Sequence, residues 1–343
     1  MKATRILLVG SDKVWSLERI FLKHLCNLGV EAQLFASQNL FYDFYEKNLI
    51  NKILFRTGIS SIYKTINEEL LKKVNEFQPD LIWVFKGMEV LPETLKNLKS
   101  RGIGLANYNP DNPFFFSGRG SGNKNVKDSI GLFHVHFTYD RDIRKTIQNE
   151  FGLPCYILPF GFELSEALYQ QCKNQDEILK ICFIGNPDKG RVEFLEKLAD
   201  QLPLDVYGHD WEKHTQHQNI SIHGPVYGDD FWKTLYRYRA QLNLLRPHNP
   251  ASHNMRSFEI PGVGGIGLFP DTIDHREYFG STGIAFLYHN MSECIVKAEE
   301  IFQMSRKDIS EWRNNARNLS LQKGFDYLSR TKQFLASINE FDA

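Results

Sequence analysis

The sequence lacks a long apolar run, a net charge and any Cys-x-x-Cys pair. No stretch of its 343 residues approaches the roughly 18 apolar residues of a membrane-crossing helix. Lysine plus arginine and aspartate plus glutamate both total 41, which argues against a strongly basic nucleic-acid binder. The five cysteines (Cys26, Cys155, Cys172, Cys182, Cys294) are odd in number, so reduced, buried thiols are expected. The first strand ends in VGSDKVWS, without G-x-G-x-x-G, and no GxxxxGK[ST] occurs anywhere. A dinucleotide dehydrogenase and a P-loop enzyme are therefore poorly supported. The opening MKATRILLVGSDK reads as a strand and loop rather than a cleavable leader, so a cytoplasmic protein is expected.

What is present is the alternation of an α/β protein. Short apolar runs such as RILLVG (5–10) and LIWVF (81–85) alternate with segments of helical apolar spacing, as parallel sheets covered by helices require. The pattern restarts at KICFI (180–184) after the charged, strand-free stretch 163–178. Two Rossmann-like domains are expected, residues 1–162 and 163–324, with parallel sheets facing across a cleft. A last helix within 325–343 is expected to return to the first domain. Strands of the second domain are predicted at 180–184, 204–207, 220–223, 241–245, 266–269 and 285–288. The zero net charge conceals two unlike halves. Residues 1–160 hold 21 basic and 16 acidic residues, a net of +5, and the remainder 20 and 25, a net of −5.

Two loops of the second domain suit an anionic ligand. GNPDKGR (185–191) joins a strand to a helix, where backbone N–H groups, Lys189 and Arg191 can meet a diphosphate. LLRPHNPASHNMRSFEIPGVGGIGLF (244–269) sets a second helix start at Asn254–Arg256. It places Glu259 one turn later, able to accept two bonds from a ribose diol. Asp140-Arg141-Asp142 is formally a D-x-D, but Asp140 stands at a strand-to-helix junction and reads as an N-cap. The histidines 209, 214 and 217 read as a polar loop rather than a zinc site.

These pieces resemble the CgeB-like (spore-coat maturation type) glycosyltransferases of the GT-B fold. The likeness is carried by FIGNPDKGRVEFL (183–195), HNMRSFEIPGVGG (253–265), REYF (276–279) and GFDYLSRTKQFL (324–335). Tyr327 and Arg330 match an aromatic and an arginine of the family's closing helix. The resemblance implies a donor site for a nucleotide-diphospho-sugar. In it Arg191 and Lys189 contact the diphosphate, and Asn254, Met255 and Arg256 line the phosphates and sugar. Glu259 holds the ribose, His223 and Gly224 neighbour the base, and Glu277 is a second acidic residue. Ala251 stands where larger retaining families carry a further glutamate.

The activity expected is transfer of a sugar to a glycan, lipid-linked or protein acceptor, with retention, and with neither metal nor cofactor. Arg256 would stabilise the leaving diphosphate. An inverting route would need a base in the first domain, and Asp111 in NPDNP (109–113) is its candidate. GRGSGN (118–123) reads as a mobile loop. Residues 40–64 interleave Phe41, Tyr42, Phe44, Tyr45, Phe55 and Tyr63 with Lys47, Lys52, Arg56 and Lys64. This segment is either a helix packed on the core or a surface for a glycan or membrane. Two further readings are kept: a nucleotide-sugar 2-epimerase of the same fold, and a non-catalytic nucleotide-binding scaffold.

Overall fold

In the first half the chain lays down β1 (Arg5–Val9), β2 (Glu31–Phe35), β3 (Leu81–Phe85), β4 (Gly104–Tyr108), β5 (Val135–Thr138) and β6 (Cys155–Ile157). The structure, a computed structural model, describes residues 4–116, 120–245, 251–280 and 283–341. The six strands form one parallel sheet in the order β2-β1-β3-β4-β5-β6. Side chains of a strand alternate between faces, and here both faces are cores. Ile6, Leu8, Leu81, Trp83 and Phe85 pack with Phe21 and Leu25 of the helix Leu17–Asn27 and with Tyr327, Phe334 and Ile338 of the helix Tyr327–Phe341. Leu7, Val9, Ile82 and Val84 pack on the other side with Ile66, Leu70, Val74 and Phe77 of the helix Ile62–Phe77. The C-terminal helix thus belongs to the first compact unit, Met1–Pro159 plus Tyr327–Ala343. The Phe334 ring lies 3.6 Å from that of Trp83, nearly parallel.

The second unit, Phe160–Asp326, holds β7 (Ile178–Ile184), β8 (Leu204–Tyr207), β9 (Ile220–His223), β10 (Tyr238–Leu242), β11 (Gly267–Pro270) and β12 (Ala285–Tyr288). These strands are also parallel, in the order β12-β11-β10-β7-β8-β9. The expected two-sheet α/β class is therefore observed, with helices covering each sheet. Strand β10 begins three residues before the predicted 241–245, because its polar members are buried with partners. Arg239 pairs with Glu177 at 2.6 Å, and the Gln241 amide donates to the Leu235 and Tyr238 carbonyls. The charged stretch 163–178 contains the helix Glu166–Lys173, whose Tyr169 and Cys172 are buried.

Asp140 caps the helix Arg141–Phe151, accepting from the Asp142 and Ile143 amides at 2.8 and 2.9 Å. That is the role read from the sequence. The aromatic segment forms two helices, Ser37–Lys47 and Leu49–Arg56. Phe41 there meets Tyr45, Phe55 and Tyr63 at centroid distances of 5.6, 4.9 and 5.8 Å. These aromatics pack on one another, and Phe41 and Tyr63 pack on the core beneath.

Candidate functional site

In the second sheet, connections leave β7 toward β8 on one side and arrive at β10 on the other. The carboxyl ends of β7 and β10 flank the point where strand order reverses, the usual ligand position of an open α/β sheet. Two arginines are fixed there. After β7, Asp188 caps the helix Lys189–Ala199 by accepting from the Arg191 amide at 3.0 Å. The Arg191 guanidinium then donates to the Asn186 carbonyl at 3.0 Å and, across the reversal, to the Leu244 carbonyl at 3.1 Å. Its Nε lies 3.3 Å from Asp188 Oδ2, and its side chain is only 11% exposed. A Cβ on Gly208 would fall 2.4 Å from the Gly185 carbonyl oxygen, so glycine is required where the loop after β8 crosses the one after β7.

From the β10 side comes the helix Met255–Gly262. Asn254 caps it, accepting from the Ser257 amide at 3.1 Å, while Ser257 Oγ accepts from the Asn254 amide at 3.2 Å. Asn243, just past β10, clamps this start: the Asn254 amide group donates to Asn243 Oδ1 at 2.8 Å, and Asn243 donates to Ser257 Oγ at 3.0 Å. Burial pushes His275 down to about 4, so its ring is neutral. It donates from Nδ1 to the Pro270 carbonyl at 2.6 Å and accepts at Nε2 from the Ser257 hydroxyl at 2.8 Å. The network orients one side chain above all. Arg256 donates from Nε to the Ile184 carbonyl at 3.3 Å, pairs with Glu259 and lies 4.4 Å over the Phe231 ring. Both arginines are therefore tied to backbone at the end of β7 or β10.

The sequence-predicted residues divide on this geometry. Arg191, Asn254, Arg256 and Glu259 are brought together around the reversal point, with Met255 half-buried at the first turn of its helix. Lys189 is 92% exposed and lies 3.9 Å from Glu193, away from that set. His223 ends β9, two strands from β7, with its ring stacked on Tyr207 and Nε2 3.0 Å from Asp205. Burial alone would raise the Asp205 carboxyl, but hydrogen bonds from Lys180, Tyr238 and His223 hold it below the usual carboxylate range. Gly224 is exposed beside open space. Glu277 is exposed on the helix Ile273–Phe279. The buried acid of that helix is Asp274, which accepts from Ser252 Oγ and sits against His253 Nδ1, each at 2.7 Å. Only its Thr-x-Asp position at a helix start could have marked it. Arg246 to Pro250 of the preceding loop lie outside the described residues.

The first unit has a reversal point of its own, between β1 and β3. One strand along, Asp111 after β4 is ion-paired with Lys86 Nζ after β3 at 2.7 Å, and Lys86 also donates to the Gly120 carbonyl at 2.7 Å. Residues 118 and 119 of the predicted mobile loop, with 117 before it, are outside the described set. Lys86 has a left-handed φ of 61° and opens a turn pinned by Asn67, which donates to the Glu89 carbonyl at 2.8 Å. Glu89 is a residue that the sequence reading did not single out. It is 4% exposed, and burial, with a contribution from Glu18, raises its carboxyl to about 7 against the pull of Lys86.

The sign of this shift gives a stability prediction. A carboxyl raised on folding favours the folded state while protonated. Its contribution is complete below about pH 4.5 and is lost as pH rises through about 7. Glu89→Gln is expected to stabilise the protein at pH 8 by roughly 3 kcal/mol and to have little effect at pH 4. Urea unfolding at the two pH values measures this; equal effects at both would contradict it.

Among the described residues no group of three or more His, Cys, Asp or Glu is arranged to hold a metal ion. Residues 191–336 match the family model of glycosyl transferase-like proteins. No curated protein matches the sequence. Solved structures resemble the fold along almost the whole chain. A UDP-forming α,α-trehalose-phosphate synthase from Burkholderia xenovorans superposes with a TM-score of 0.65 at 12% identity, covering 99% of this chain and 100% of that one. The α,α-trehalose 6-phosphate synthase of Burkholderia multivorans gives 0.63 at 11% identity, covering 98% and 97%. A UDP-GlcNAc 2-epimerase from Neisseria meningitidis, bound to UDP-GlcNAc, gives 0.55 at 11% identity, covering 98% and 100%. The chain has the GT-B fold, and its segment 191–336 is glycosyl transferase-like, in keeping with the enzyme class expected from the sequence.

Proposed function

We propose that this chain is a CgeB-like glycosyltransferase that moves a sugar from a nucleotide-diphospho-sugar to a glycan, lipid-linked or protein acceptor. The observation that carries the reading is the convergence of Arg191 and Arg256 on the carboxyl ends of β7 and β10, each held by backbone carbonyls. Departure of the donor's diphosphate builds negative charge. Cations already desolvated and aimed stabilise that charge without reorganising. Glu259 gives one oxygen to Arg256, and a carboxylate has acceptor capacity left for a ribose diol. Asn254 shapes the pocket through its cap, and Met255 offers it an apolar side chain. His223 and Gly224 flank the base, while Lys189 and Glu277 take outer positions.

Transfer is proposed to proceed with retention and without a metal, the leaving phosphate oxygen taking the acceptor's proton. An inverting route would draw a base from the first unit. Asp111, held by Lys86 at 2.7 Å, is the proposed base for it. The first unit is also proposed to meet a membrane surface.

Melting shifts with UDP, GDP, dTDP and CMP test the donor site. One of these nucleotides is expected to raise the melting temperature of the wild type and to lose that effect in Glu259→Ala. Shifts that are equal in the variant would displace the site from these residues. A product that is the 2-epimer of the donor sugar, with no transfer, would favour the epimerase reading instead.

A further inference from the structure

Of the two readings of the aromatic segment, the packing of residues 37–64 matches a helix on the core for the aromatics and leaves other side chains facing outward. The aromatics Phe41, Tyr45, Phe55 and Tyr63 are turned toward one another, and the most exposed apolar side chains of the segment are aliphatic, ahead of Tyr42 at 38%. On the helix Leu49–Arg56, Leu49, Ile50 and Ile53 are 72%, 67% and 53% exposed, and Ile59 just beyond it is 74% exposed. Leu49, Ile50 and Ile53 stand at i, i+1 and i+4, which places them on one side of the helix. The opposite side is anchored. Asn51 donates to the Phe44 carbonyl at 2.7 Å, Lys52 lies 5.6 Å over the Tyr45 ring, and Phe55 packs against Phe41. The aliphatic side is therefore displayed by a fixed helix.

The charges nearest it are mainly positive. Lys47, Lys52 and Arg56 stand on or beside the helix, which itself carries no aspartate or glutamate, while exposed Asp43 and Glu46 precede Lys47 and Lys64 pairs with Glu68 at 3.8 Å. Lys47 and Arg56 are exposed at the two ends of the helix. Aliphatic side chains that enter a headgroup–acyl boundary, ringed by cations that meet lipid phosphates, are the chemistry of an interfacial helix. A folded protein partner would equally bury the aliphatics, but an exposed cation at each end of the helix, Lys47 and Arg56, matches an anionic surface. We infer that the helix Leu49–Arg56, with Ile59, docks the protein on an anionic lipid surface through Leu49, Ile50, Ile53 and Ile59, with Lys47 and Arg56 meeting the phosphates. This deepens the membrane contact included in the functional reading and rests only on residues of the first unit.

The test is co-sedimentation of the full chain with vesicles of phosphatidylglycerol and phosphatidylcholine, and with vesicles of phosphatidylcholine alone. Binding is expected to the anionic vesicles, to weaken with salt, and to be lost in Ile50→Ser/Ile53→Ser. Lys47→Gln/Arg56→Gln is expected to weaken it by roughly 30-fold, each cation near an anionic surface being worth about fivefold. The four positions are exposed, so both variants should melt with the wild type, which separates lost docking from lost folding. No preference for anionic vesicles, or binding that both variants retain, overturns the inference. So does a concentration-dependent dimer in light scattering that Ile50→Ser/Ile53→Ser dissolves while vesicle binding is absent throughout, since the patch would then cover a second copy. Nucleotide-induced melting shifts belong to the other unit and should be the same in these variants. Their persistence without vesicle binding would sink this inference alone, leaving the transferase reading intact.

Discussion

Arg191→Ala is expected to lower kcat for sugar transfer by about 10²–10³-fold, the usual cost of removing one preorganised donor to developing charge. The side chain is held by the Asn186 and Leu244 carbonyls, and in the proposed reading this keeps a cation at a fixed place, while the same bonds also join the loops after β7 and β10. Its amide, which bonds Asp188, is untouched by the substitution, and the helix Lys189–Ala199 keeps its cap. Steady-state kinetics with circular dichroism as a folding control make the measurement. Lysine at the position should restore little, because a single ammonium cannot reach two carbonyls and a phosphate in one plane. Lys189→Ala, by contrast, removes an exposed cation and should change kcat by less than about threefold. Equal effects at 189 and 191 would show that overall charge, not placement, carries the site.

The second large effect concerns the first unit. Trp83→Ala and Phe334→Ala are each expected to cost about 3–5 kcal/mol of stability, as deletion of a buried aromatic side chain does. Both residues are fully buried and their rings stack at 3.6 Å. Phe21, Phe85 and Phe137 close around Trp83 at 4.8, 4.6 and 6.2 Å. Because the two rings share one contact, the double variant should cost clearly less than the sum. Urea unfolding of the four proteins measures the coupling. A loss below about 1 kcal/mol for Phe334→Ala would mean that the C-terminal helix is an attachment and not part of this core.

Much of the architecture was legible because buried parallel strands write themselves as short apolar runs. LIWVF is a short apolar run between Pro79 and Gly87, the length and flanks of a strand buried on both faces. The sequence signal failed where burial is polar. Arg239 and Gln241 hid the start of β10, since a strand whose buried members find side-chain and carbonyl partners has no apolar period. Legibility at the site followed the same line. Arg191 and Arg256 could be picked out because strand ends and helix starts fix backbone N–H groups and nearby cations together. Lys189 shares that loop yet points to solvent, a matter of helical phase that composition does not show. Asp274, Lys86 and Glu89 were silent because their importance lies in partners distant along the chain: His253, Asp111 and Glu18. The net +5 of residues 1–160 likewise became informative only with the fold, which gathers part of it around exposed isoleucines.

The paired arginines of the second unit are proposed to hold a nucleotide-diphospho-sugar whose diphosphate departs. Incubating the wild type with a panel of nucleotide-sugars and measuring released nucleotide tests it most directly. Release is expected from one donor, at a rate that falls at least about 100-fold in Arg191→Ala. Release from no donor, or release that Arg191→Ala leaves unchanged, would contradict it.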